Sequence, residues 1–304
     1  MNQHTPNRFI KQSDGILDTH TGLVWTADAA ISEFPLTWAE ALDFVQDLNR
    51  DAYLGHGDWK LSNRRELFSL MSHKCINPSL PAGHPFTRVF TGYYWTSTTC
   101  VRLPDQAWYI HLGGAKVYKG MKHQSYMVWP VRPSGPAKPA LLQTGQTHCY
   151  DAAGNHIDCT GTGQDAAYQV GLAADLRRFS DQGEVVCDSA TGLTWLKTAN
   201  PAQEMVDWKT AFDWIREMNR QHAHGYNDWR LPEINELESL THMGTHSPAL
   251  PPDHPFTHVQ DFYWSATRSM YDTRYAWVLY ARDGYIGVGH TPQAECYIWP
   301  VRGV

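Results

Sequence analysis

Six cysteines and 16 histidines are the residues of this 304-residue chain whose types could do chemistry. Thiols can cross-link, ligate zinc or act as nucleophiles, and imidazoles can bind metals or move protons. No Cys-x-x-Cys pair or tight Cys/His cluster occurs, so a zinc site is not expected. His242 and His246 are the candidate metal ligands, because an i, i+4 spacing on a helix aims both rings at one ion. Gly244 between them and Pro248 after them favour a loop instead. The sequence holds no Gly-x-Ser-x-Gly elbow, no His-Glu-x-x-His helix and no phosphate loop. Glu233 and Glu236, spaced i, i+3, read as a solvated helix face rather than an acid–base pair. The chain is therefore expected not to be an enzyme and to need no cofactor.

Binding chemistry is better represented. With 13 Trp and 15 Tyr the chain is rich in rings that stack on sugars or anchor protein contacts. Arg forks that grip carboxylate or sulfate lie among them. The candidate ligand-binding residues are Arg268, Tyr271, Arg274, Tyr275, Arg282 and Tyr285, with Arg102 and Tyr118 earlier in the chain. Net charge is −6 and no basic run exceeds a pair, so a nucleic-acid partner is not expected. No stretch approaches the ~18 apolar residues of a membrane span. The opening residues lack the apolar core of a signal peptide, so an exported protein would have lost its leader.

The elements that must position these residues come in duplicate. Thr21-Gly22-Leu23-Val24-Trp25 matches Thr191-Gly192-Leu193-Thr194-Trp195 at an offset of 170. The same offset aligns Trp38 with Trp208, Asn49-Arg50 with Asn219-Arg220, and Asp58-Trp59 with Asp228-Trp229. It also aligns His84-Pro85-Phe86-Thr87 with His254-Pro255-Phe256-Thr257. One residue is then lost, so Trp95 meets Trp264 and Trp108 meets Trp277, before Trp129-Pro130-Val131-Arg132 meets Trp299-Pro300-Val301-Arg302. Copy one spans 1–133, a Pro- and Gly-rich linker spans 134–177, and copy two spans 178–304. In each copy a turn at Thr-Gly precedes a helix, with Thr37 as N-cap, Glu40 closing a capping box, and Trp38, Ala41, Leu42, Val45 and Leu48 on one face. A second helix carries Leu67 and Leu70, with Pro232 near the first turn of its counterpart, where its missing N–H does no harm. Short strands follow over 93–99, 107–112 and 126–132, which makes the fold class α+β.

Duplication also suggests how the cysteines pair. Cys75 and Cys100 both lack equivalents in copy two, where Thr245 and Ser269 stand. Cys187 and Cys296 both lack equivalents in copy one, where Leu17 and Tyr126 stand. Joint absence predicts Cys75–Cys100 and Cys187–Cys296, while Cys149 and Cys159 flank a Gly-Asn turn and predict a bridged hairpin. Three disulfides would imply an oxidising compartment: secreted, periplasmic or cell-surface.

The repeated series Thr-Gly-Leu-x-Trp, Asp-Trp-[Lys/Arg]-Leu, Glu-Leu, Tyr-Trp-[Thr/Ser] and Trp-Pro-Val-Arg resembles the Legionella collagen-like protein C-terminal domain family. The resemblance covers both copies. It implies C-type-lectin-like domains, each with two helices, a small twisted antiparallel sheet and long loops carrying the binding surface. It also implies an exported bacterial protein that adheres to a glycan or sulfated polysaccharide. The calcium-lectin tripeptides are absent, and Asp58 and Asp228 read as structural hydrogen-bonders at a helix entrance. The expected function is recognition of a glycan or an envelope protein through loops. The alternative is a structural or assembly subunit of a surface appendage or envelope complex.

Overall fold

The Thr-Gly turns and Trp positions that repeat in the sequence fold twice in the computed structural model. It describes residues 7–137, 139–173 and 178–303 and divides into two units, Met1–Leu172 and Ala173–Val304. The boundary expected at 177–178 borders residues 174–177, which lie outside the described set.

In unit 1, β1 (Phe9–Gln12), β2 (Gly15–Asp18) and β3 (Leu23–Trp25) form an antiparallel meander. It is extended by β8 (Pro130–Pro133) and β4 (Lys60–Leu61). Helix α1 (Trp38–Arg50) starts at Thr37, whose capping box with Glu40 forms as expected, and buries Trp38, Ala41, Leu42 and Val45. Its Asn49 brackets the main chain of Trp59, donating to the carbonyl and accepting from the amide at 2.7 Å each. Helix α2 (Arg64–Ser69) follows, and a second antiparallel meander comprises β5 (Tyr93–Thr99), β6 (Gln106–His111) and β7 (Lys116–Met121). The strand β7 carries too many charged residues to stand out as a strand in the sequence.

Unit 2 repeats this order. An antiparallel sheet is built from β11 (Phe179–Asp181), β12 (Val185–Asp188), β13 (Thr194–Leu196) and β19 (Val301–Arg302). The small strand β14 (Val206–Asp207) pairs with β18 (Glu295–Cys296). Helices α4 (Trp208–Arg220) and α5 (Ile234–Ser239) precede the meander β15 (Phe262–Arg268), β16 (Tyr275–Tyr280) and β17 (Tyr285–His290). Pro232 lies just ahead of the N-cap residue Glu233, near the first turn as expected. The fold is mixed α and β, with several small antiparallel sheets and, counting the short helix α3 (Asp165–Tyr168), five helices among the described residues.

The matched residues are structural pins. Trp95 and Trp264 donate their indole N–H to the carbonyls of Leu36 and Val206 at 2.9 Å. Trp129 and Trp299 reach Thr26 and Leu196, and Trp59 and Trp229 reach Tyr53 and Ala223. His84 and His254 stack on Phe86 and Phe256, which meet Trp129 and Trp299 edge-on, as their place in a packed turn suggests. Asp228 accepts a bidentate ion pair from Arg302 on the terminal strand. Glu236 is not a solvated carboxylate, because it caps the Glu233 amide and pairs with Arg230 at 2.6 Å. Each first sheet is fastened by an arginine–aspartate clamp, part-buried at Arg8 and buried at Arg178. Arg8 and Arg178 grip Asp18 and Asp188 through two bonds each and give a third to the carbonyls of Ser69 and Ser239, where α2 and α5 end.

The segment read as a linker packs onto copy one. It carries the hairpin β9 (Cys149–Tyr150) and β10 (His156–Ile157), closed by the Cys149–Cys159 disulfide, followed by α3. Gln146 brackets the main chain of Thr99, accepting from its amide at 2.9 Å and donating to its carbonyl at 2.8 Å. The Lys122 ammonium, 4.0 Å above the Trp38 ring, donates to the carbonyls of Tyr150 and Asp151. Gln46 donates to Gly161, and the buried Asp165 accepts hydroxyl bonds from Thr98 and Thr144 at 2.7 Å.

The other two expected disulfides are not formed: Cys75, Cys187 and Cys296 carry free thiols. Cys75 sits in the loop after α2, whereas Cys100 is buried where β5 closes onto β6. Cys187 lies in the sheet of β12, next to the Thr194 hydroxyl, whereas Cys296 pairs with Val206 in a different sheet. Joint absence from a copy is not adjacency. Peptide mapping of unreduced, denatured protein should therefore find Cys75, Cys187 and Cys296 alkylated, and Cys149 and Cys159 alkylated only after reduction. A Cys187–Cys296 linked peptide would contradict the structure.

Two stability predictions follow from the buried polar groups. Asp188→Ala strands the Arg178 guanidinium and should destabilise unit 2 by about 3 kcal/mol in urea denaturation. For Asp165, burial pushes the carboxyl up to about 6, against the hydrogen bonds from Thr144 and Thr98. Its contribution is present below the ordinary carboxylate range and lost as pH rises through about 6. Hydrogen exchange of the 144–168 amides should quicken over that window, and Asp165→Asn should flatten the response.

Candidate binding cleft of the second copy

The N-cap Asp207 accepts from the Thr210 amide at 2.9 Å and starts α4 so that Trp208, Phe212 and Arg216 follow one another along one helix face. The Trp208 indole donates to the Ser265 carbonyl at 2.9 Å, and Phe212 meets the ring edge-on at 4.6 Å. Arg268, the last residue of β15, lays its guanidinium 4.4 Å over Trp208 and donates to the Thr273 carbonyl. Thr291 and Pro292, after β17, complete a cleft of about 730 Å³. Lys209 and Arg216 on its rim both reach the single carboxylate of Asp213. Chemically this is a half-buried aromatic floor with a cationic rim, suited to an anionic ligand with a flat or apolar part.

A second cleft of about 610 Å³ lies on the opposite side of α4, against Trp214 and Met218, with His224 and His258 as its only ionisable lining groups. It contains none of the sequence-predicted site residues.

The structure gathers four of the predicted residues at one end of the copy-two meander. Arg268 lines the cleft, and Tyr271 is 76% exposed in the β15–β16 loop. Arg274 lies in that loop bound to Asp272, whose carboxyl its guanidinium pulls down to about 2. Tyr275 begins β16 with its ring 5.0 Å from His290. Arg282 and Tyr285 lie at the other end of the meander, around the β16–β17 turn, and Tyr285 stacks on Tyr280 at 4.6 Å. In copy one Arg102 is half-buried in the β5–β6 loop, and Tyr118 on β7 is flanked by Lys116 and Lys119. These residues do not form one site.

Trp208, Phe212, Arg216 and Thr291 were missed by the sequence reading: the counterparts of the first two, Trp38 and Leu42, look like core, and nothing local marks the other two as neighbours of that face. The available signal was charge: Lys209, Arg216 and Arg268 stand where copy one has Ala39, Gln46 and Thr99. His242 and His246 occupy the loop after α5, not a helix, each near a hydroxyl of Thr245 or Ser247. Among the described residues no group of three or more His, Cys, Asp or Glu side chains is arranged to hold a metal ion. Nor is any described helix long and apolar enough to cross a membrane.

No curated protein matches the chain. The model of the Lcl C-terminal domain family matches residues 14–132 and again residues 184–302. These two matches cover the two Trp-pinned units described above, so the chain belongs to the Lcl C-terminal domain family and carries two tandem copies of its domain.

Proposed function

We propose that this chain is an exported, non-enzymatic binding protein of two C-type-lectin-like domains, whose second copy recognises a glycan or protein ligand. The observation that carries this reading is an asymmetry. The face beside the first helix is filled in copy one by the chain's own residues 144–168, while its equivalent in copy two stands open over Trp208. An aromatic floor under Arg268 suits ligands that combine a stacking surface with negative charge, including sulfated or carboxylated glycans. Membership of the Lcl C-terminal domain family agrees with a surface-related binding role, and the Cys149–Cys159 disulfide is consistent with secretion to the periplasm or cell surface.

The test is binding of the oxidised full chain to a glycan and sulfated-polysaccharide array and, in parallel, to envelope extracts, beside Arg268→Glu and Trp208→Ala. Saturable binding that both substitutions reduce at least tenfold, at unchanged thermal stability of Arg268→Glu, is the expected result. Binding that ignores Arg268, or none in either format, would sink the proposal.

A further inference from the structure

The open cleft of copy two and the covered face of copy one are the same place on the fold. Trp208 stands where copy one has Trp38, Phe212 where it has Leu42, and Arg216 where it has Gln46. Arg268 replaces Thr99, and Thr291 replaces Lys122. In copy one each of these positions touches or underlies residues 144–165. Thr99 exchanges two main-chain bonds with Gln146, Lys122 holds the carbonyls of Tyr150 and Asp151, and Gln46 holds that of Gly161. Gly163 lies so near Leu42 that an added Cβ would stand 3.6 Å from its side chain. The result is a sealed face, with Trp38 only 2% and Leu42 only 7% exposed. In copy two Trp208 and Phe212 remain half-buried and Arg268 exposed.

Charge indicates what the open seat accepts. Residues 144–165 include three aspartates and no lysine or arginine, yet their seat in copy one is neutral at Ala39, Gln46 and Thr99. Copy two carries Lys209, Arg216 and Arg268 at those positions, with Asp213 shared between the first two, and against these gains it has Asp207 where copy one has Thr37 and Thr291 where copy one has Lys122. A seat shaped for a disulfide-closed hairpin has thus become more positive by one net charge.

Resting on the reading that this cleft binds a ligand, we infer that it docks an acidic hairpin segment of a partner polypeptide, seated as residues 144–165 are seated on copy one. Guanidinium donors at 216 and 268 take the place of the carboxamide and amide donors of copy one, and they suit main-chain carbonyls and carboxylates alike. The hydroxyl that Asp165 binds in copy one is already satisfied in copy two, where Thr267 donates to Glu233. The partner therefore needs no buried acid at that point, and its carboxylates are left for the rim.

The probe is a synthetic peptide of residues 144–168 with its Cys149–Cys159 bond formed, titrated into the full-length chain by calorimetry. One-to-one binding is expected, weakened at least tenfold by Arg268→Glu or Arg216→Glu and by raised salt, and unchanged by Arg282→Glu at the far end of the meander. A peptide with Asp151 and Asp158 changed to Asn should bind at least fivefold more weakly. Binding that ignores Arg216 and Arg268 would place the peptide elsewhere and overturn the inference. Heparin-type polysaccharide bound through Arg268 without peptide binding would overturn it too, while leaving the ligand cleft intact. If neither binds, both readings fall. Concentration-dependent self-association of the chain, abolished by Arg268→Glu, would replace the partner with a second copy and likewise overturn it.

Discussion

In a fold of short strands and long connections, much of the main chain lies outside regular ladders and still needs its polar groups satisfied. Here the indole N–H does that work. Trp95 and Trp129 each bury a large ring and give one hydrogen to a carbonyl in a connecting segment, Trp59 and Trp229 do so to Tyr53 and Ala223, and Trp264 and Trp299 tie down the short strands at Val206 and Leu196. One side chain thereby supplies apolar burial and a directional tie at once. The arginine–aspartate clamps, the second of them buried, add a second tie, fastening each first sheet to the end of the short helix behind it. Breaking such a pair leaves a charge without its partner in a dry place, which costs far more than losing a surface contact.

On this shared frame the two copies diverge where the frame does not constrain them. Copy one recruits 144–168 as an added layer, fixed by Gln146, Lys122 and Asp165. No described residue forms such a layer on copy two, where the equivalent hydroxyl, of Thr267, is satisfied locally by Glu233 at the helix-capping position. The change from Thr99 to Arg268 then turns a site of main-chain pairing into a cation over an aromatic ring. A few substitutions on a constant scaffold thus convert a covered face into an open one.

Some features were set by residues close together or by residues repeated. The duplication was legible because rare tryptophans recur in register, and the capping box of α1 because its signals lie three residues apart. The Cys149–Cys159 hairpin was legible for the same reason: a short loop with a turn-forming Gly-Asn brings its ends together whatever the surroundings. Family membership and the mixed α and β character rest on the same recurring motifs.

What the chain alone could not determine is which residues meet at a distance. Cys187 and Cys296 share a copy but fall in different small sheets, and no count of presence or absence reports that. Trp38 and Trp208 occupy identical positions in the repeat, and one is sealed and the other half-open only because a segment more than a hundred residues from Trp38 lies on the first. Local sequence determined the helices, turns and pins, because their energies depend on near neighbours. Tertiary structure decided the cleft, because exposure depends on what packs above a residue.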